Sequence, residues 1–174
     1  MHAAPSELIV DGSGTASWRG RLIKCAIGRG GIVAEKREGD GGTPAGIWPM
    51  RAVLYRPDRV APPDTALPRR PLAPADGWCD DPAASAYNRL VHLPYPGHCE
   101  ALWLDDAVYD VVVPLGYNDD PVVAGLGSAI FLHVARPDFT PTAGCVALAL
   151  EDLLPLLREA SPATQVRVIR RRVS

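Results

Sequence analysis

No apolar run in this sequence approaches the roughly 20 residues that a membrane-spanning helix needs, so no such span is expected. Charge of either sign in excess is also missing. Eighteen Lys and Arg face twenty Asp and Glu, for a formal net charge of -2. That leaves no global basic field to attract nucleic acid or anionic lipid. Cysteine is scarce: Cys25, Cys79, Cys99 and Cys145 are too few in 174 residues for a disulfide scaffold. Four cysteines permit one or two bridges and require none. The first residues, Met1 to Glu7, have neither a basic n-region nor an apolar h-region, so no signal peptide is expected there. A cytoplasmic chain, a mature form and export by another route all stay open.

What is present points to a mainly β protein. Gly 16 and Pro 18 are high together, which favours short strands and loops over a helical bundle. A length of 174 residues suits one domain over 1–174 with a single core. Glu7 to Val10 and Leu22 to Ile27 read as early strands, with Gly12 and Gly14 marking a hairpin or bulge between them. Gly28-Arg29-Gly30-Gly31 follows as a turn, and Lys36 to Gly46 as a polar, glycine-rich loop. Ile47 to Tyr55 reads as one strand, made edge-like or bulged by Pro49. The proline-rich stretch from Pro57 to Pro74 reads as a long ordered loop rather than an interdomain linker. Leu90 to Leu93, Ala101 to Leu104, Tyr109 to Val113, Ala129 to Val134 and Gln165 to Val168 complete the strands. One helix is expected over Glu151 to Glu159. Leu150, Leu153, Leu154 and Leu157 form its apolar face, and Pro155 is tolerable only in its first turn. Many short strands and one late helix imply a closed or sandwiched β fold. Arg170-Arg171-Arg172 reads as a solvated tail.

The chemistry concentrates between Ser128 and Leu148. His133 ends an apolar run, and twelve residues later comes Thr142-Ala143-Gly144-Cys145-Val146. A thiol with a pKa near 8.5 is only a few per cent thiolate at neutral pH, so a neighbouring imidazole is needed to take its proton during attack. The N–H groups of Gly144 and Cys145 are candidates for holding an oxyanion. The plainer reading is that His133 is a buried histidine bonded to a carbonyl and Cys145 a small core residue. Tyr117 and Asn118 are candidates for orienting His133 or binding substrate backbone, or are ordinary turn residues. Asp80 and Asp81 are candidates for holding a substrate amine, or an acidic turn before Pro82. Thr142 either positions the nucleophile or satisfies its own turn. Cys79, His92, His98 and Cys99 are a conceivable zinc set, but adjacent His98-Cys99 matches spaced ligand pairs poorly, and no metal is expected. A Cys79–Cys99 bridge requires an oxidising compartment. Cys25 reads as core.

Gly127-Ser128-Ala129-Ile130-Phe131-Leu132-His133, followed by Pro141-Thr142-Ala143-Gly144-Cys145-Val146-Ala147-Leu148, resembles the catalytic segment of L,D-transpeptidase domains. Asp40-Gly41-Gly42-Thr43-Pro44-Ala45-Gly46 resembles the Thr-Pro-x-Gly element of that family. Trp78-Cys79-Asp80-Asp81-Pro82 and Tyr117-Asn118-Asp119 are similar to motifs of a compact bacterial subfamily. The resemblance runs from about Ile23 to the end, with the catalytic segment at about 125–150. It implies an L,D-transpeptidase-type β-sandwich or barrel with one helix after the nucleophile turn. It implies Cys145 as nucleophile and His133 as base, without metal or organic cofactor. The implied partners are peptidoglycan stem peptides in the cell envelope, and carbapenem-type inhibitors that acylate the cysteine. Ala143 departs from the pattern where a second histidine is usual, and Ala147 where arginine or asparagine often follows. The His–Cys interval is also short. A carboxypeptidase or amidase using the same thioester, and an envelope-binding module without catalysis, are the alternatives those departures keep open.

Overall fold

Short alternating apolar runs, cut by glycine and proline, form short strands because only one side chain in two can reach a given face. The structure, a computed structural model, describes residues 6–171. In chain order the strands are β1 (Glu7–Val10), β2 (Thr15–Trp18), β3 (Arg21–Ala26), β4 (Ile32–Val33), β5 (Thr43–Pro44), β6 (Gly46–Pro49), β7 (Val53–Tyr55), β8 (Arg69–Pro71), β9 (Asp76–Cys79), β10 (Leu90–His92), β11 (Cys99–Ala101), β12 (Val111–Pro114), β13 (Phe131–Val134), β14 (Val146–Leu148) and β15 (Gln165–Val168), with the helix α1 (Leu150–Glu159) before β15.

Ten strands make one sheet in the order β6-β15-β1-β2-β3-β14-β13-β12-β7-β8. Strands β6 and β7 follow one another in the chain, yet one is an edge and the other lies beside the opposite edge. The linker, Met50 to Ala52, spans roughly 14 Å at full extension, so the sheet has to curl until its ends approach. Gly116 N–H to Pro49 O at 2.8 Å and Arg51 N–H to Pro114 O at 3.0 Å close that gap. This corrects the single strand expected over Ile47 to Tyr55. The chain leaves β15 after Pro49 and, past a three-residue linker, enters β7 and pairs with β12, so one apolar stretch serves both ends of the sheet.

Helix α1 fills the curl. Leu153, Leu156 and Leu157 are buried in the main core with Leu8, Trp18, Val113 and Leu132, while Leu150 and Leu154 pack only partly against it. The buried face is therefore rotated from the expected one. Pro155 is the sixth residue of the helix, beyond the first turn, and the carbonyl of Glu151 loses its usual i+4 donor there. The Pro57–Pro74 loop is ordered and contributes β8 and the buried Leu67 and Leu72. Arg171 pairs with Asp11 (Nε–Oδ2 2.9 Å), and Arg170 is exposed. Arg172 and the first five residues, where the signal-peptide expectation falls, lie outside the described residues.

Between β8 and β12 the chain leaves the sheet and forms a three-stranded sheet, β10-β9-β11. A second apolar cluster lies here, including Leu54, Val112, Phe131, Leu102, Tyr109 and Cys145, with Trp78 packed against it. Strand β13 shows the period-two logic: Leu132 and Val134 belong to the main core, Phe131 to the second cluster.

Candidate active site

Strands β13 and β14 run parallel with Leu132 opposite Val146 and His133 opposite Ala147. Continuing that register puts Cys145 beside Phe131, one pleat from His133 and on the same face. Residues in this diagonal relation lie within reach of long side chains. Both line one cleft of ≈ 410 Å³, which also reaches Thr142, Ala143, Asp80 and Glu100.

The turn that presents Cys145 depends on two glycines. A Cβ on Gly28 would stand 2.1 Å from Gly41 O and 2.9 Å from Gly144 Cα, so the glycine turn after β3 can pack against the Gly144–Cys145 turn only without a side chain. Gly144 has φ +142, and its Cβ would meet Gly42 O at 2.9 Å. Thr142 holds the same turn from within: its hydroxyl donates to Cys145 O at 2.6 Å and accepts the Gly144 N–H at 3.1 Å. Of the two expected oxyanion donors, the Gly144 N–H is engaged by the Thr142 hydroxyl. The Cys145 N–H has no protein acceptor among the described residues and is the better placed of the two.

Cys145 is 6% exposed. Its thiol donates to Ala129 O at 3.2 Å and accepts the Phe131 N–H at 3.4 Å. Burial, and next the negative charge of Glu100, push the thiol up to about 12, while the Phe131 N–H works the other way. His133 is also 6% exposed. Its Nδ1 lies 2.9 Å from Val134 O and must donate to that carbonyl, which leaves Nε2 with the free lone pair. Its ring meets Tyr109 edge-on at 5.3 Å. Burial lowers the imidazole to about 4. The pair at rest is therefore a neutral thiol and a neutral imidazole, not an ion pair.

The rest of the cleft is charged in patches. Lys36, Arg29 and Arg136 contribute cations, and Glu38, Asp80 and Glu100 carboxyl groups. Lys36 is buried, pairs with Asp40 and donates to Arg37 O at 2.9 Å. Glu38 accepts from Tyr87 Oη at 2.5 Å and Ser128 Oγ at 2.8 Å. Burial raises the Glu100 carboxyl, which accepts a hydrogen bond from Tyr109 Oη. Of these cleft residues, sequence reasoning singles out Asp80 alone. Lys36 and Glu38 sat in a loop read as merely polar, and nothing local marks Glu100 or Tyr109.

Asn88 was missed as well. It is buried, adopts a left-handed φ of 56, and bulges opposite Cys79. Its Oδ1 accepts from Trp78 Nε1 at 2.9 Å and Ala129 N–H at 3.0 Å; its Nδ2 donates to Tyr117 O at 3.1 Å and Asn118 O at 2.8 Å. Ala129 itself has φ +53 and carries the carbonyl that receives the thiol. Asn88 is thus a positioning residue, one hydrogen bond removed from the residue that holds Cys145.

Of the other expected site residues, Asp80 lines the cleft and its Oδ1 lies 2.5 Å from His98 Nδ1. Asp81 does not line it. Its carboxylate accepts the N–H groups of Ala83 (2.9 Å) and His98 (3.3 Å) and serves the turn. Tyr117 and Asn118 likewise tie down their own loop. Tyr117 Oη donates to Leu126 O at 2.5 Å, and Asn118 Nδ2 donates to Val123 O and Gly127 O, both at 2.9 Å. Their carbonyls accept from Asn88 Nδ2, and neither residue lines the cleft. Among the described residues no group of three His, Cys, Asp or Glu side chains is placed to hold a metal ion.

A thiol, a neutral imidazole with one free nitrogen and an unpaired backbone N–H in one cleft are the components of cysteine acyl-transfer chemistry. The chain belongs to the L,D-transpeptidase catalytic domain (YkuD) family, whose model matches residues 5–168. No curated protein matches it. Among solved structures it is similar to the helical cell shape determining protein Pgp2 from Campylobacter jejuni, at 13% identity and a TM-score of 0.46. That alignment covers 97% of this chain and 48% of the other, so this chain spans about half the length of Pgp2.

Proposed function

We propose that this protein is an L,D-transpeptidase that uses Cys145 as nucleophile and His133 as general base on peptidoglycan stem peptides. Nε2 of His133 takes the thiol proton as sulfur attacks the carbonyl of the diaminopimelyl residue of a tetrapeptide stem. The developing oxyanion is met by the Cys145 N–H. The protonated imidazole then gives its proton to the leaving D-alanine amine, and a thioester remains. The amine of a second stem attacks the thioester and gives its proton to His133, the C–S bond breaks, and His133 returns the proton to the departing Cys145 sulfur, leaving a 3→3 cross-link and the resting thiol.

The observation that carries this reading is the shared face of Cys145 and His133 on paired strands, open to one cleft. The neutral resting state fits proton transfer during attack, since no thiolate has to be stabilised beforehand. Hydrolysis of the same thioester is the alternative outcome, and its product is a tripeptide.

Incubation with a carbapenem, followed by intact-mass measurement, tests the nucleophile. The expected result is one covalent adduct, absent in Cys145→Ala and formed far more slowly in His133→Ala. Incubation with diaminopimelate-containing tetrapeptides separates a cross-linked dimer from a tripeptide. Adducts on Cys25, Cys79 or Cys99, or none at all, would sink the proposal.

A further inference from the structure

Cys79 and Cys99 face each other across β9 and β11, in register as direct antiparallel partners. The backbone hydrogen bonds fix what kind of pair this is. The Cys79 N–H donates to Arg89 O at 2.9 Å and its carbonyl accepts the Asn88 N–H at 2.8 Å. Both groups point toward β10, so none is shared with Cys99, and the two cysteines form a non-hydrogen-bonded pair. In such pairs the Cα atoms lie about 4.5 Å apart, inside the roughly 4.4–6.8 Å window that a disulfide spans. Both are free thiols here, Cys79 fully buried and Cys99 half-buried.

Alternation along the strands separates this pair from the cleft. Trp78 is opposite Glu100 on one face of the small sheet, and Cys79 is opposite Cys99 on the other. Trp78 packs edge-on against Phe131 at 5.1 Å, and Glu100 lines the cleft. The two cysteines are thus the immediate chain neighbours of Asp80 and Glu100, two carboxyl groups of the cleft wall, without occupying the cleft.

We propose that Cys79 and Cys99 are a disulfide site, which a small disulfide donor closes to pin β9 to β11 and fix the carboxyl-bearing wall of the cleft. The half-buried Cys99 thiolate attacks the S–S bond of the donor, forming a mixed disulfide and expelling one donor thiolate. Cys79, having lost its proton, attacks the Cys99 sulfur and expels the second. Two protein thiols lose two electrons and two protons in all, and the donor disulfide is reduced to two thiols. The inference does not depend on the transpeptidase reading, since neither cysteine takes part in it.

The test uses the full chain, reduced and then equilibrated with oxidised glutathione at neutral pH. Arg89 is the single tryptic site between the two cysteines, so digestion without reductant separates their peptides unless they are bonded. The expected result is a protein about 2 Da lighter, one Cys79–Cys99 linked peptide, and Cys25 and Cys145 still alkylatable after denaturation. The closed loop should raise Tm by roughly 5–10 °C, an increase that Cys79→Ser and Cys99→Ser both lose. If either variant fails to fold, the linked peptide of the unaltered protein decides alone once it is fragmented to locate the bond, because Cys99 and Cys145 share the tryptic peptide 90–158. Four free thiols after treatment, a persistent glutathione adduct on Cys99, or linkage to Cys25 or Cys145 would each overturn the proposal.

Discussion

Leu132 and Val134 point from β13 into the main core, among other buried apolar side chains. Phe131 and His133 point the other way, into a layer that also holds Cys145, Tyr109 and, at its edge, Glu100. Both layers are tightly buried, and the burial has opposite consequences. In the main core it supplies the stabilisation that holds ten strands in one curled sheet. In the second layer it works on polar groups, each of which needs a partner. The partners are local backbone: Val134 O for His133, Ala129 O and the Phe131 N–H for Cys145. The same desolvation raises the thiol and lowers the imidazole, so this layer favours the uncharged form of both groups.

The sharpest way to break this contrast is to empty one face at a time. Cys145→Ala should abolish carbapenem acylation entirely while shifting the melting temperature little. Leu132→Ala should do the reverse, costing about 2–5 kcal/mol of stability while the folded fraction still acylates. Intact mass and thermal melts on both variants measure the two effects. Loss of acylation in fully folded Leu132→Ala would show that the two faces are not separable.

Next in size is His133→Gln, which keeps a side chain able to bond Val134 O but has no base. General-base contributions are roughly 10²–10⁴-fold, and the acylation rate should fall by that much at neutral pH. The unaltered protein should acylate at a nearly constant rate from about pH 5 to 9, because neither the thiol at about 12 nor the imidazole at about 4 changes charge there. A rate that climbs steeply between pH 6 and 8 would indicate an ion-paired site instead.

Stability should carry its own signature of the buried imidazole. The histidine is neutral in both folded and unfolded chains above its ordinary value of 6.5. As pH falls from 6.5 toward 4, the unfolded chain gains a proton that the folded one refuses, and stability declines until the folded pKa is passed. The shift corresponds to about 3 kcal/mol. Denaturant titrations at pH 7 and pH 4.5 should differ by most of that amount beyond the background, and His133→Gln should remove the excess.

How much of this was legible beforehand follows from what each element depends on. Strands β1 and β15 and helix α1 have clear periodicity and were readable at nearly their observed bounds. Strand β2, Thr15-Ala16-Ser17-Trp18, has weak apolar contrast, and only its pairing with β1 and β3 makes it a strand. Cys145 and His133 were visible because one short segment carries both. The cleft walls were not, because Lys36, Asn88, Glu100 and Tyr109 come from separate excursions that only the curled sheet brings together. A buried lysine in a glycine-rich loop looks, in sequence, like any solvated one. The bond from the Gly144 N–H to the Thr142 hydroxyl was not legible for a similar reason, since sequence alone does not say how a turn folds back on itself.

That hydroxyl gives the mildest and most local test. Thr142→Val keeps the shape and removes both the bond to Cys145 O and the acceptor for Gly144 N–H. Two hydrogen bonds across one turn are together worth roughly 1–3 kcal/mol, and the β-branched replacement keeps the backbone restriction. The melting temperature should therefore drop modestly. The acylation rate should also fall, by about tenfold, because a looser turn lets the Cys145 N–H drift from the oxyanion position. If stability falls while the acylation rate of the folded protein is unchanged, Thr142 serves the turn alone. The precision of the second layer would then rest on Asn88 and Ala129, and Asn88→Ala should carry the rate loss that Thr142→Val lacks.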